Sequence, residues 1–125
     1  MEFETLTKQI IGCAYTVYNE MGFGFLESVY EKCMVIELRK AGLHVETQKP
    51  QTVHYEGAVV GEFVCDLVVE NEVIVELKSV KQLAQAHEVQ LVNYLVATGT
   101  DVGLLINFGE SKVEVKRKIR NFRQD

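Results

Sequence analysis

The chain has 125 residues, 47% of them hydrophobic, with one proline and no low-complexity tract, the size and apolar content of a single globular domain spanning 1–125. Its net charge of −5 excludes tight nucleic-acid binding through a generally basic surface, because Lys and Arg neutralisation of phosphate dominates such affinity. No apolar run is long enough to span a bilayer, and Met1-Glu2-Phe3-Glu4 lacks the basic start of a secretory signal, so a cytoplasmic protein that avoids membranes is expected.

Across residues 5–20, Leu6, Ile10, Cys13, Ala14, Val17 and Tyr18 recur at three- and four-residue steps, which predicts a helix. Two glycines in Met21-Gly22-Phe23-Gly24 break it. A second helix is predicted over about 26–40, with Val29, Tyr30, Cys33, Ile36 and Leu38 as its apolar set and Ala41-Gly42 as its end. Residues 43–58 are β-rich around Pro50, and Glu56-Gly57 supplies a hairpin turn. Residues 61–69 and 72–80 are β-branched runs separated by Glu70-Asn71, a spacing that predicts a tight antiparallel hairpin. Residues 83–98 read as a helix with Ala84, Leu91, Val92, Leu95 and Val96 on its apolar face, closed by Gly99. Residues 101–108 are a further apolar strand. The predicted order is helix, helix, three strands, helix, strand and a basic segment at about 110–125, an α/β fold with a mixed central sheet flanked by helices.

Cys13, Cys33 and Cys65 are odd in number, far apart and outside any CxxC pattern. Neither a disulfide framework nor a zinc knuckle is supported, and each is expected as a small buried hydrophobe. Six of the thirteen basic residues fall between Lys112 and Arg123, which leaves two readings open: a solvated terminal strand or helix, or an arm that contacts phosphates. His44 and His54 have no carboxylate at ligand spacing and are expected to be non-catalytic. No phosphate-cradling GxxxxGK[ST] loop and no Ser-His-Asp arrangement occurs at local spacing.

Asp66 stands inside the apolar run from Phe63 to Val69, where an uncompensated buried charge would be costly. On the next strand a period of two places Glu76 and Lys78 on one face and Val75 and Leu77 on the other, so hairpin pairing could gather Asp66, Glu76 and Lys78. Such a cluster suits either a structural ion-pair network or a site for Mg²⁺ or Mn²⁺, which prefer oxygen ligands. Two further sets accompany it. Glu27 and Tyr30 share one face of the second helix, and His87, Gln90 and Tyr94 form a polar stripe on the third.

Together these residues resemble a known family. Gly24-x-x-Glu27-x-x-Tyr30 matches the motif that names the GxxExxY proteins, and Asp66 followed by Glu76-Leu77-Lys78 resembles the PD-(D/E)xK nuclease signature. Gln90-x-x-x-Tyr94 is similar to the QxxxY motif of RecB-like and phage-exonuclease-type members. The resemblance spans roughly residues 5–120, with Cys65 where the signature has proline. It implies a PD-(D/E)xK nuclease-like core and a Mg²⁺- or Mn²⁺-dependent nuclease cutting phosphodiester bonds of nucleic acid, DNA ahead of RNA. Asp66, Glu76, the Leu77 carbonyl and Glu27 would hold the metal. Lys78 would orient and help deprotonate the attacking water, so Asp66, Glu76 and Lys78 form the implied catalytic set. Gln90, Tyr94 and His87 would contact the substrate, and Tyr30 would serve packing. The alternative reading is a catalytically idle nuclease fold that binds nucleic acid or a protein partner; a homodimer is also compatible.

Overall fold

The computed structural model describes residues 2–120. Its elements are α1 (Phe3–Met21), α2 (Glu27–Lys40), β1 (Val45–Tyr55), β2 (Ala58–Val69), β3 (Val73–Lys78), α3 (Gln85–Thr98), β4 (Val102–Phe108) and β5 (Val113–Ile119). One five-stranded sheet runs in the order β1-β2-β3-β4-β5. Neighbours are antiparallel except β3 and β4, whose parallel pairing requires a crossover, and α3 supplies it.

Two cores sandwich the sheet. On one face α1 and α2 bury Leu6, Ile10, Tyr30 and Met34 against Leu67, Val75, Leu77, Ile106 and Phe108. On the other, α3 buries Leu91 and Leu95 against Cys65, Val68, Ile74 and Leu105. This distribution corrects three expectations. Ile36 is 60% exposed because α2 buries Tyr30, Met34 and Leu38 at four-residue steps, and a residue two positions from both Met34 and Leu38 points the opposite way. Val96 is exposed because it follows Leu95 by one residue, about 100° around α3 and off the line of the buried Leu91 and Leu95, and Ala84 precedes the helix as its exposed cap residue. Of the cysteines only Cys65 is fully buried; Cys13 and Cys33 are half-buried, and all three are free.

The two hairpin turns form where expected. Glu56 and Gly57, at φ +49° and +82°, have the left-handed pair that a two-residue hairpin needs, and Glu70 and Asn71 are both at +54°. The basic segment gains a role that the predicted order lacked. Residues 113–119 pair antiparallel with β4 as a fifth strand, and their charges are partly used at home: Lys118 lies 2.6 Å from Glu88 of α3, and Arg120 lies 2.8 Å from Asp101. Lys116 and Arg117 remain exposed; Arg123 lies outside the described residues.

Gly103 sets how closely α3 approaches the sheet. A Cβ there would stand 2.9 Å from Leu91 Cδ1, 3.0 Å from Leu95 Cδ2 and 3.3 Å from the Ile74 carbonyl oxygen. Gly103→Ala should therefore destabilise the protein by about 1–3 kcal/mol, the usual cost of overfilling a packed core. Urea denaturation checks this; an unchanged midpoint would mean that α3 can lift away freely.

Candidate active site

The β2–β3 ladder has an early end that creates the site. Pairing runs from Val69–Val73 through Val68–Ile74 to Leu67–Val75 and stops, although the same register would next set Asp66 opposite Glu76. Beyond that point side chains take the main-chain partners. Glu76 Oε2 accepts the Asp66 N–H at 2.8 Å, and Asp66 Oδ2 accepts the Leu77 N–H at 2.8 Å. Two carboxylates thus interlock across strands that have begun to separate, each accepting one main-chain N–H. In a β-strand the N–H and C=O of one residue point to the same neighbour. The Leu77 carbonyl is therefore aimed toward Asp66, while the Leu77 side chain stays in the α1–α2 core.

The ion-pair alternative is not what forms. Among the described residues, Lys78 makes no salt bridge with Asp66 or Glu76. Glu76 is 8% exposed, and its acidity shows the consequence. Burial first, and then the charge of Asp66, push the Glu76 carboxyl up to about 8; the hydrogen bond from Asp66 and the nearby Lys78 charge pull it back only partly, and Glu27 pushes it further up. Burial, followed by the charges of Glu76 and Asp66, also raises the Cys65 thiol to about 12. The cluster holds more negative charge than its neighbours neutralise.

Glu27 reaches the cluster from the first turn of α2, and the 24–30 segment is built to place it. The Tyr30 hydroxyl donates to the Gly22 carbonyl and accepts a long bond from the Phe25 N–H, while its ring is stacked on Phe108 at 4.3 Å. Ser79 Oγ donates to the Phe25 carbonyl at 2.7 Å, tying the same turn to the segment after Lys78. Gly24 sits at φ +114°, a conformation that side chains resist. Glu27, Ser28, Glu31, Gln48, Asp66 and Leu77 border a cavity of about 320 Å³.

The remaining sequence-derived residues scatter more. Tyr94 lies near enough for the charges of Glu76, Cys65 and Asp66 to add to burial in raising its phenol, and its ring stacks on Phe63 at 3.9 Å. Gln90 is exposed one turn earlier on α3 and makes no hydrogen bond among the described residues. His87 is engaged locally: its Nδ1 accepts the Ala84 N–H at 3.1 Å, closing the first turn of α3. His44 and His54 are exposed and stand apart from the acidic cluster's hydrogen bonds.

Three residues escaped the sequence reading. Glu31 follows Glu27 by one helical turn, a spacing that was available as a signal. Asn107 is fully buried on β4; its Oδ1 accepts the Val80 N–H at 2.9 Å, and its Nδ2 donates to the Val80 carbonyl at 2.8 Å and to Glu114 at 2.9 Å. It clamps the chain just after Lys78, and within an apolar strand nothing marked it. The third is Gln48, a non-glycine residue at φ +48° facing Asp66, a conformation that costs about 1–2 kcal/mol.

A sequence model of the PD-(D/E)XK nuclease superfamily matches residues 4–118, which include every residue of this site. The chain belongs to the PD-(D/E)XK nuclease superfamily. No curated protein sequence matches it. Among solved structures, the crystal structure of SSO0001 superposes with a TM-score of 0.62 over 97% of this chain, at 16% identity, a likeness of fold alone. The chain spans 61% of the length of that structure's chain. PD-(D/E)XK nucleases generally use divalent metal ions.

The residues present fit such an ion. Among the described residues no three His, Cys, Asp or Glu side chains form a ready-made metal cage. The cluster nevertheless offers hard oxygen donors only, from carboxylates and a main-chain carbonyl, and its unneutralised charge is what a divalent cation would relieve. Among the described residues no helix is long and apolar enough to cross a membrane.

Proposed function

We propose that the protein is a Mg²⁺- or Mn²⁺-dependent nuclease that hydrolyses phosphodiester bonds of nucleic acid, DNA ahead of RNA, and that the Gly24, Glu27 and Tyr30 pattern places it among the GxxExxY proteins of its superfamily. The observation that carries this reading is the uncompensated Asp66–Glu76 pair: two interlocked carboxyl groups, one of them buried with its pKa pushed up to about 8, beside a lysine that pairs with neither. A purely structural cluster would use Lys78 to cancel the charge.

Asp66, Glu76, the Leu77 carbonyl and Glu27 would hold the ion. Bound there, a divalent cation supplies Lewis-acid stabilisation of the anionic transition state and a lowered water pKa. Asp66 and Glu76 keep their orientation through the Leu77 and Asp66 N–H groups. Lys78, on the same strand as Glu76 and in no salt bridge among the described residues, would orient the attacking water, help deprotonate it and offset charge on the phosphate. Tyr94 and Gln90 lie one helical turn apart on α3 and would hydrogen-bond the substrate strand, with His87 a further contact at the helix start.

The test is cleavage of labelled single- and double-stranded DNA and RNA by metal-stripped protein after Mg²⁺ or Mn²⁺ is returned. Wild type should cut only with metal, and Lys78→Ala should lose about 10²-fold or more in rate while keeping its melting temperature. Folded wild type that cuts nothing, or a Lys78→Ala variant that cuts normally, would reject the proposal.

A further inference from the structure

We infer that Gln48 is a positioning residue for the Asp66 carboxylate, an assignment that rests on the metal-site reading above. On β1 every residue from Val45 to Tyr55 has a β2 partner except Gln48, and the register is unshifted on either side, at Thr47–Leu67 and Lys49–Cys65. The gap is therefore a local turning of the chain rather than an inserted residue. Gln48 adopts φ +48° there, directly across from Asp66. The effect reaches β2: Leu67 and Val69 pack in the α1–α2 core and Val68 in the α3 core, so strict alternation would send Cys65 to the α1–α2 side, yet it packs with α3. The strand changes face at Asp66.

The side chain completes the arrangement. Gln48 Nε2 donates to Glu31 Oε1 at 2.6 Å and, at a long 3.5 Å, to Asp66 Oδ1. An amide nitrogen has two hydrogens, one for each acceptor. Asp66 is thus held at both oxygens, Oδ2 by the Leu77 N–H and Oδ1 by Gln48, while Glu31 is occupied by the same amide. Partners behind a metal ligand fix its rotamer, and their loss typically weakens metal binding 10–100-fold.

Gln48→Met keeps the length and the backbone demand and removes only the donor; Gln48→Gly keeps the left-handed turn and removes the side chain. Amide hydrogen exchange in metal-free protein reads the Asp66 carboxylate directly, because the Leu77 N–H depends on it. In both variants Leu77 should exchange about tenfold faster or more while the β4 amides keep wild-type protection. Mn²⁺ affinity by calorimetry should fall about 10–100-fold, with KM for nucleic acid unchanged at saturating metal. Wild-type exchange at Leu77 in either variant, equal acceleration across β4, or an unchanged Mn²⁺ affinity would overturn the assignment. If wild type binds no Mn²⁺ and cuts nothing, the nuclease proposal fails, and the Leu77 exchange still decides the role of Gln48.

Discussion

Glu76→Gln should stabilise the metal-free protein at pH 8 by a few kcal/mol and leave it almost unchanged at pH 5. The Glu76 carboxyl titrates at about 8 in the folded chain against an ordinary 4.5, because burial and the Asp66 charge disfavour its ionised form. Between those values the folded state holds a proton that the unfolded state has released. Stability therefore falls as pH rises from about 5 to about 8 and levels off above. Gln keeps an oxygen to accept the Asp66 N–H and has no proton to lose, so its curve should lack that fall. Titrating groups remote from the cluster contribute equally to both proteins and cancel in the difference, whereas Asp66, Cys65 and Tyr94 are coupled to Glu76 and shift with it. Thermal melts from pH 5 to 9 in chelator check this, and a wild-type curve parallel to that of Glu76→Gln would refute the buried-charge account. Under the proposed function, Mn²⁺ at pH 8 should recover the lost stability in wild type but far less in the variant.

Tyr30→Ala should cost about 3–5 kcal/mol, the range for emptying a buried aromatic site. That is a large share of the total stability of a domain this size. Tyr30 is fully buried, stacked on Phe108 and edge-on to Phe25, and its hydroxyl holds the Gly22 carbonyl. Tyr30→Phe separates the two roles. It keeps the ring and should cost only about 1 kcal/mol for the hydrogen bond, yet it releases the turn that precedes Glu27. Guanidinium denaturation gives the stability order, with Ala far below Phe and Phe just below wild type. Equal midpoints for Ala and Phe would mean that the hydroxyl, not the stacking, anchors the turn. Metal-dependent cleavage by Tyr30→Phe should fall more than its small stability loss explains.

The hydrophobic periods carried most of the fold. The seven elements of the predicted order lie close to where local patterning places them, both hairpin turns form at their dipeptides, and Asp66 and Glu76 meet as strand pairing suggested, whereas Lys78 forms no salt bridge with either among the described residues. The period of two failed at the site. It assumes an unbroken ladder, whereas the β2–β3 ladder ends at Leu67–Val75 and β2 changes face at Asp66. Helical faces were legible but coarse: Ile36 fits an apolar list and still points outward, because the core is selected by the neighbour that a helix packs against. The fifth strand was hidden by its charges, since Lys116, Arg117 and Lys118 resemble a solvated tail until β4 and Glu88 offer partners.

What the sequence by itself determined is the three helices, the first four strands and the ordered acids, lysine and tyrosines along them, because apolar spacing and turn chemistry act over a few residues. What only the tertiary structure decided is which charges meet. Lys78 is two residues from Glu76 and does not pair with it, whereas Gln48 and Glu31, remote from Asp66 in sequence, join its carboxylate through one amide. Hydrogen-bond partners are set by where strands separate and where a backbone turns left-handed. Those are properties of strands packed together, which no single segment contains.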